Sequence, residues 1–122
     1  MRITTLLLAV LLLAGCPAKK TTQTTSEVIL PIKAIATTGM VADLVQNVGG
    51  DRVEVRAMMG PGVDPHLYKA SEGDVAALND ADIIFYNGIH LEARMAEVLE
   101  RIADSRLTVP VGDAVPPDRI LS

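Results

Sequence analysis

The chain has 122 residues, a formal net charge of -4 and a sequence pI near 5.0, which suits one small acidic domain. It carries no basic patch, so nucleic acid is excluded as a partner. Tryptophan is absent and aromatics make up 2%, which excludes stacking platforms for bases or sugars.

The N-terminus reads as an export signal. Arg2 supplies a short positive region, Ile3 to Leu13 is almost wholly apolar, and Leu13-Ala14-Gly15-Cys16 closes the run. The run is too short to cross a hydrocarbon core of roughly 30 Å, so residues 1–15 are assigned to a signal peptide. The order Leu-Ala-Gly-Cys resembles the bacterial lipobox, which implies lipidation of Cys16 as the mature N-terminus. Cys16 is the only cysteine, so no intrachain disulfide is expected. Residues 16–31 then form the lipidated cysteine and a polar tether, rich in threonine, with nothing to bury. The expected location is the extracytoplasmic face of a membrane, reached through a lipid anchor.

From Ile32 the pattern changes. Ile32 to Ala36 is a short β-branched run, read as a strand. Met40, Val41, Leu44, Val45 and Val48 recur at helical spacing and are stopped by Gly49-Gly50. Val53, Val55 and Ala57 alternate with Glu54 and Arg56, as a strand requires. Ser71 followed by Asp74 is a helix-capping signal, with Val75, Leu78 and Ala81 as the buried stripe. Ile83 to Tyr86 is a continuous apolar run, read as a strand covered on both faces. Leu91, Met95, Val98, Leu99 and Ile102 predict a third helix, and Leu107 to Val111 a fourth strand. Pro110 puts that last strand at an edge or makes it irregular. The alternation predicts an α/β fold: a four-stranded, mainly parallel sheet with helices on both faces. Sites in such sheets lie at the carboxyl ends of the strands. Three loops gather there: Thr37-Thr38-Gly39, the segment around His66, and Asn87-Gly88-Ile89-His90.

His66 is the leading candidate for chemistry. It sits in Gly60-Pro61-Gly62-Val63-Asp64-Pro65-His66-Leu67-Tyr68, a loop stiffened by two prolines. A neutral imidazole on a rigid loop is a good transition-metal ligand; the competing role is a histidine bonded to loop backbone. Asp64 is positioned by sequence to accept either a loop amide or the second imidazole N–H. His90 is expected to line the cleft rather than to ligate. Thr37 and Thr38 either cap the next helix or expose amides to an anion. Tyr68 either shields the site or packs on the sheet. No nucleophile elbow, phosphate loop or paired acid/base carboxylates are found, and no enzyme is expected.

Three segments carry a resemblance: Ala36-Thr37-Thr38-Gly39-Met40-Val41-Ala42-Asp43, the Gly60 to Tyr68 loop, and Phe85-Tyr86-Asn87-Gly88-Ile89-His90-Leu91-Glu92. The chain resembles the N-terminal part of the metal-binding receptors of bacterial zinc and manganese ABC importers, the TroA-like or cluster 9 solute-binding proteins. The resemblance implies two α/β lobes joined by a long helix, with Zn or Mn held between them. It implies His66 as the first-lobe ligand and gives no ligand role to His90. It implies that the remaining ligands, the helix and the second lobe lie outside this chain, with residues 32–122 as the N-terminal lobe. The implied partners are a divalent metal ion, an ABC permease and its ATPase. Two alternatives stay open on residues alone. One is a metal-dependent hydrolase using Asp64 or Asp74 as base; the other is a surface adhesion or interaction lipoprotein.

Overall fold

The computed structural model describes residues 29–121. The assignments made above to residues 1–28 lie outside the described residues. Four strands form one sheet: β1 (Ile32–Ala36), β2 (Val53–Ala57), β3 (Ile83–Tyr86) and β4 (Leu107–Pro110). Their order is β2-β1-β3-β4 and every pairing is parallel. Three helices connect them: α1 (Gly39–Gly49), α2 (Glu72–Asp80) and α3 (Ala96–Ala103). The chain therefore winds outward from β1 to β2, then crosses back to build β3 and β4 on the other side. Parallel crossovers keep one hand, so reversing direction moves the helices to the opposite face.

Side-chain alternation in the strands divides the core into two halves. Ile35 and Ile84 face the side covered by α2 and α3, where they meet Leu78, Met95, Leu99 and Ile102. Ala34 and Ala36 face the side covered by α1, where they meet Val41 and Val45, with Ile83 and Phe85 beside them. The central strands are thus buried on both faces, as the unbroken apolar run of β3 predicts. The fully buried side chains include Leu78 and Ile84.

Local sequence explains where the elements begin. Thr38 caps α1, its hydroxyl accepting from Val41 N at 3.3 Å. Ser71 and Asp74 form a reciprocal capping box at the start of α2. β4 is an edge strand, where Pro110 closes the register opposite Tyr86.

Two expectations need correction. Of the apolar positions of α1, only Val41 and Val45 are buried; Met40, Leu44 and Val48 are 74%, 53% and 78% exposed. One narrow stripe of the helix reaches the sheet, and the adjoining apolar residues lie beside it. The third helix is also shorter than its stripe. Ala93–Met95 is a 3₁₀ turn and the α-helix begins only at Ala96, so Leu91 and the buried Met95 precede it. Ile89 and His90, both with positive φ at 50° and 62°, bar the helix from reaching back into the turn after β3. A left-handed turn cannot be absorbed into a right-handed helix.

The all-or-none burial of Leu78 sets the first expectation. Leu78→Ala should cost about 3 kcal/mol, read by urea denaturation. A loss under ~1 kcal/mol would mean that α2 is not packed on the sheet as described.

Candidate metal centre

The switch in winding direction falls between β1 and β3. Crevices at such points are the usual ligand sites of open α/β sheets. Here the protein fills the crevice itself. Glu92, only 3% exposed, turns its carboxylate into it. Oε1 accepts from the Thr37 hydroxyl at 2.6 Å and from Asn87 N at 2.7 Å, while Oε2 accepts from Gly88 N at 3.1 Å. Three donors on a buried carboxylate are what its desolvation requires. Gly88, at φ 76°, permits the turn that aims these two amides inward.

Thr37, fully buried, joins this latch to the other loops. Its N–H donates to Phe85 O at 3.0 Å and its carbonyl accepts from Met59 N at 3.0 Å. Met59 is the last buried residue before the His66 loop. The ends of β1, β2 and β3 are therefore tied at one residue. Of the two roles weighed for these threonines, Thr38 takes the cap and Thr37 is a buried junction.

His66 lies exposed on the loop after β2. Asp64 Oδ1 accepts from His66 N at 2.9 Å, and Asp64 O accepts from Tyr68 N at 3.1 Å. Asp64 therefore bonds the loop amide, the first of its two options, and shapes the turn that carries the imidazole. The loop's far end is pinned by Tyr68. Its ring packs against the α2/α3 half of the core, and its hydroxyl donates to Asp74 Oδ2 at 2.7 Å. Burial, then the Asp74 bond, raises the Tyr68 pKa above 10.0. Asp74 is held below 3.8, first by the Ser71 hydroxyl and then by the Ser71 amide and Tyr68, against a desolvation that pushes upward.

His90 stands apart from this loop. It lines a pocket of about 400 Å³ with Tyr86, Glu100 and Asp113, and His66 is not among the lining residues. Burial first, then the carboxylates of Asp113, Glu92 and Glu100, raises the Tyr86 pKa. No group of three or more His, Cys, Asp or Glu poised to hold a metal occurs among the described residues. His66 thus offers a single nitrogen donor, with Asp64 engaged beneath it.

Sequence reasoning missed Glu92 and Thr37 as a pair. Their one advance signal is an acid closely following an Asn-Gly turn, in a stretch whose next apolar residues are buried.

The sequence matches the family described as ZnuA, zinc-uptake complex component A periplasmic, over residues 35–120. The chain belongs to this family. It is 39% identical over 115 residues to the manganese-binding lipoprotein MntA of Bacillus subtilis (strain 168), covering 94% of this chain and 37% of MntA. It is 49% identical over 88 residues to the zinc-binding protein TroA of Treponema pallidum (strain Nichols), covering 72% of this chain and 29% of TroA. The solved structure of the periplasmic zinc-binding protein TroA from Treponema pallidum superposes with a TM-score of 0.71 at 47% identity, over 75% of this chain and 33% of that one. The chain thus spans well under half the length of these relatives, and the match confirms the parallel α/β architecture read from the sequence.

The capping box yields a pH-dependent expectation. Because folding holds Asp74 below 3.8, its contribution is complete above that value and is lost as pH falls through the lowered folded value. Asp74→Asn should cost about 1 kcal/mol near neutral pH, the net worth of a typical hydrogen bond, and the gap to the parent should close in strong acid. Denaturant midpoints across that range check it; a gap of constant size would show that the charge of Asp74 contributes nothing.

Proposed function

We propose that this chain supplies the first lobe of a lipid-anchored, extracytoplasmic receptor. The receptor captures Zn or Mn and delivers the ion to an ABC permease driven by its ATPase. One observation carries the reading: an exposed imidazole on a loop tied down at both ends, at the carboxyl edge of a parallel sheet. Fixing a ligand before the ion arrives lowers the ordering cost of binding.

The names of the relatives support the cargo. MntA is named as manganese-binding and TroA as zinc-binding. An imidazole serves either ion, and the choice depends on the donors that join it. His66 alone leaves the shell incomplete, since zinc takes three or four protein ligands. The remaining donors then come from a second lobe across the cleft, with His66 as the first-lobe ligand. Asp64 holds the His66 turn, and His90 lines the neighbouring pocket.

In this reading residues 1–15 are the signal peptide, Cys16 carries the lipid, the tether runs to residue 31, and residues 32–122 form the lobe. The likeness to MntA, a named lipoprotein, covers 94% of this chain and so extends into the N-terminal segment. A hydrolase is disfavoured by the placement of its bases. Asp64 is committed to the His66 amide, and Asp74 to Ser71 and Tyr68.

Calorimetric titration of the complete gene product with Zn and Mn tests the proposal. His66→Ala should weaken binding roughly a hundredfold, because losing a direct ligand costs at least as much as losing one of its hydrogen-bond partners. Equal affinity in the variant and the parent would end the assignment.

A further inference from the structure

Glu92 takes no part in metal binding as proposed above, yet it is an acid with 3% exposure, bonded just past the ends of β1 and β3. Its three bonds do not serve a helix end alone. They join Thr37, 55 positions away, to the amides of Asn87 and Gly88. Thr37 in turn accepts from Met59 N, where the His66 loop departs. From Met59 onward the loop has few ways to move. Pro61 and Pro65 restrict it, Val63 N bonds Gly60 O at 3.3 Å, and Asp64 shapes the His66 turn. The orientation of Thr37 therefore passes into the direction from which His66 is presented.

We infer that Glu92 and Thr37 are positioning residues for metal capture at His66, a claim that rests on the receptor reading above. The Glu92 carboxylate fixes the Thr37 side chain, and the Thr37 carbonyl fixes the root of the His66 loop. The same carboxylate holds the turn through Gly88, Ile89 and His90, whose φ values of 76°, 50° and 62° are all left-handed. Two of these residues bear a Cβ and pay strain there. Asn87 and Gly88 amides bound by Glu92 offset that strain. The latch thus sets the spatial relation between the first and third loops while the second hangs from Thr37.

The test uses the complete gene product and four variants: Thr37→Val, Thr37→Ser, Leu78→Ala and His66→Ala. Thr37→Val keeps the shape but removes the hydroxyl donor, leaving Glu92 with its two amides. Affinities for Zn and Mn are measured by competition with a chelator, well below each variant's unfolding midpoint. Thr37→Val should weaken both about tenfold, the lower end of what groups supporting a ligand are worth. Thr37→Ser should restore parental affinity. Leu78→Ala should lower the unfolding midpoint and leave affinity unchanged. Parental affinity in Thr37→Val overturns the inference, as does an equal loss in Leu78→Ala, which would reduce the latch to general stability. Should Thr37→Val not fold, Glu92→Gln gives the same reading, since its amide turns a donor toward groups that donate. Unchanged binding in His66→Ala overturns the receptor reading itself, and the two failures are told apart by that variant.

Discussion

A carboxylate buried at the switch point of the sheet organises everything above it. Open parallel sheets leave a crevice where adjacent crossovers part, and exposed amides there invite a ligand. In this chain Glu92 occupies the crevice and consumes the amides of Asn87 and Gly88 together with the hydroxyl of Thr37. Hydrogen bonds to a charged group contribute about 1.5–3 kcal/mol each, and removing the acceptor would strand three donors in the interior. The usual binding position of the fold has thus become a structural joint.

With the crevice filled, the loop proposed to carry the metal ligand lies to the side, after β2. β2 is an edge strand, so the loop beyond it has open space that the centre of the sheet lacks. His66 reaches that space while its support comes from within: Met59 on one side, bonded to Thr37, and Tyr68 on the other, bonded to Asp74. The α2 capping box then does two things with one acid. Asp74 closes the helix start and holds the far end of the His66 loop. Sharing a carboxylate between a helix end and a loop end ties the loop's stiffness to the stability of α2 without any bond to the imidazole.

What the sequence reveals follows the range over which each interaction acts. The capping box is legible because Ser71 and Asp74 are three positions apart and need only each other. Strand periods in Val53 to Ala57, and the two-sided burial of Ile83 to Tyr86, are legible because alternation is a local signal. The parallel order follows from the alternation of strands and helices. His66 stands out because Pro65 directly precedes it and Pro61 lies in the same short loop. The stripe of α1 is less legible: apolar spacing identifies the helix, but Met40, Leu44 and Val48 differ from Val41 and Val45 only in what the sheet offers beneath them. Glu92 is the hardest residue to read. Acids near a helix start are ordinarily solvated, and its decisive partner lies 55 positions away. The left-handed backbone at Ile89 is hidden too, because a β-branched residue disfavours it.

The receptor proposed above must both take up and release its ion, and the arrangement of this chain suits that demand. A complete tetrahedral cage on one rigid lobe would bind tightly and let go slowly. In the proposed receptor a single fixed imidazole, with its remaining partners on another body, would make the strength of binding depend on the distance between the two bodies. Release then needs only their separation, with no internal rearrangement of either. For that to work the lobe's own donor must not move when the partner leaves, so stiffness belongs in the scaffold under the ligand. Glu92, Thr37, Tyr68 and Asp74 supply it from bonds that do not involve the imidazole. In the proposed receptor, a lobe braced in this way would keep its shape whether loaded or empty, and the free energy of capture would be left to the closing of the gap.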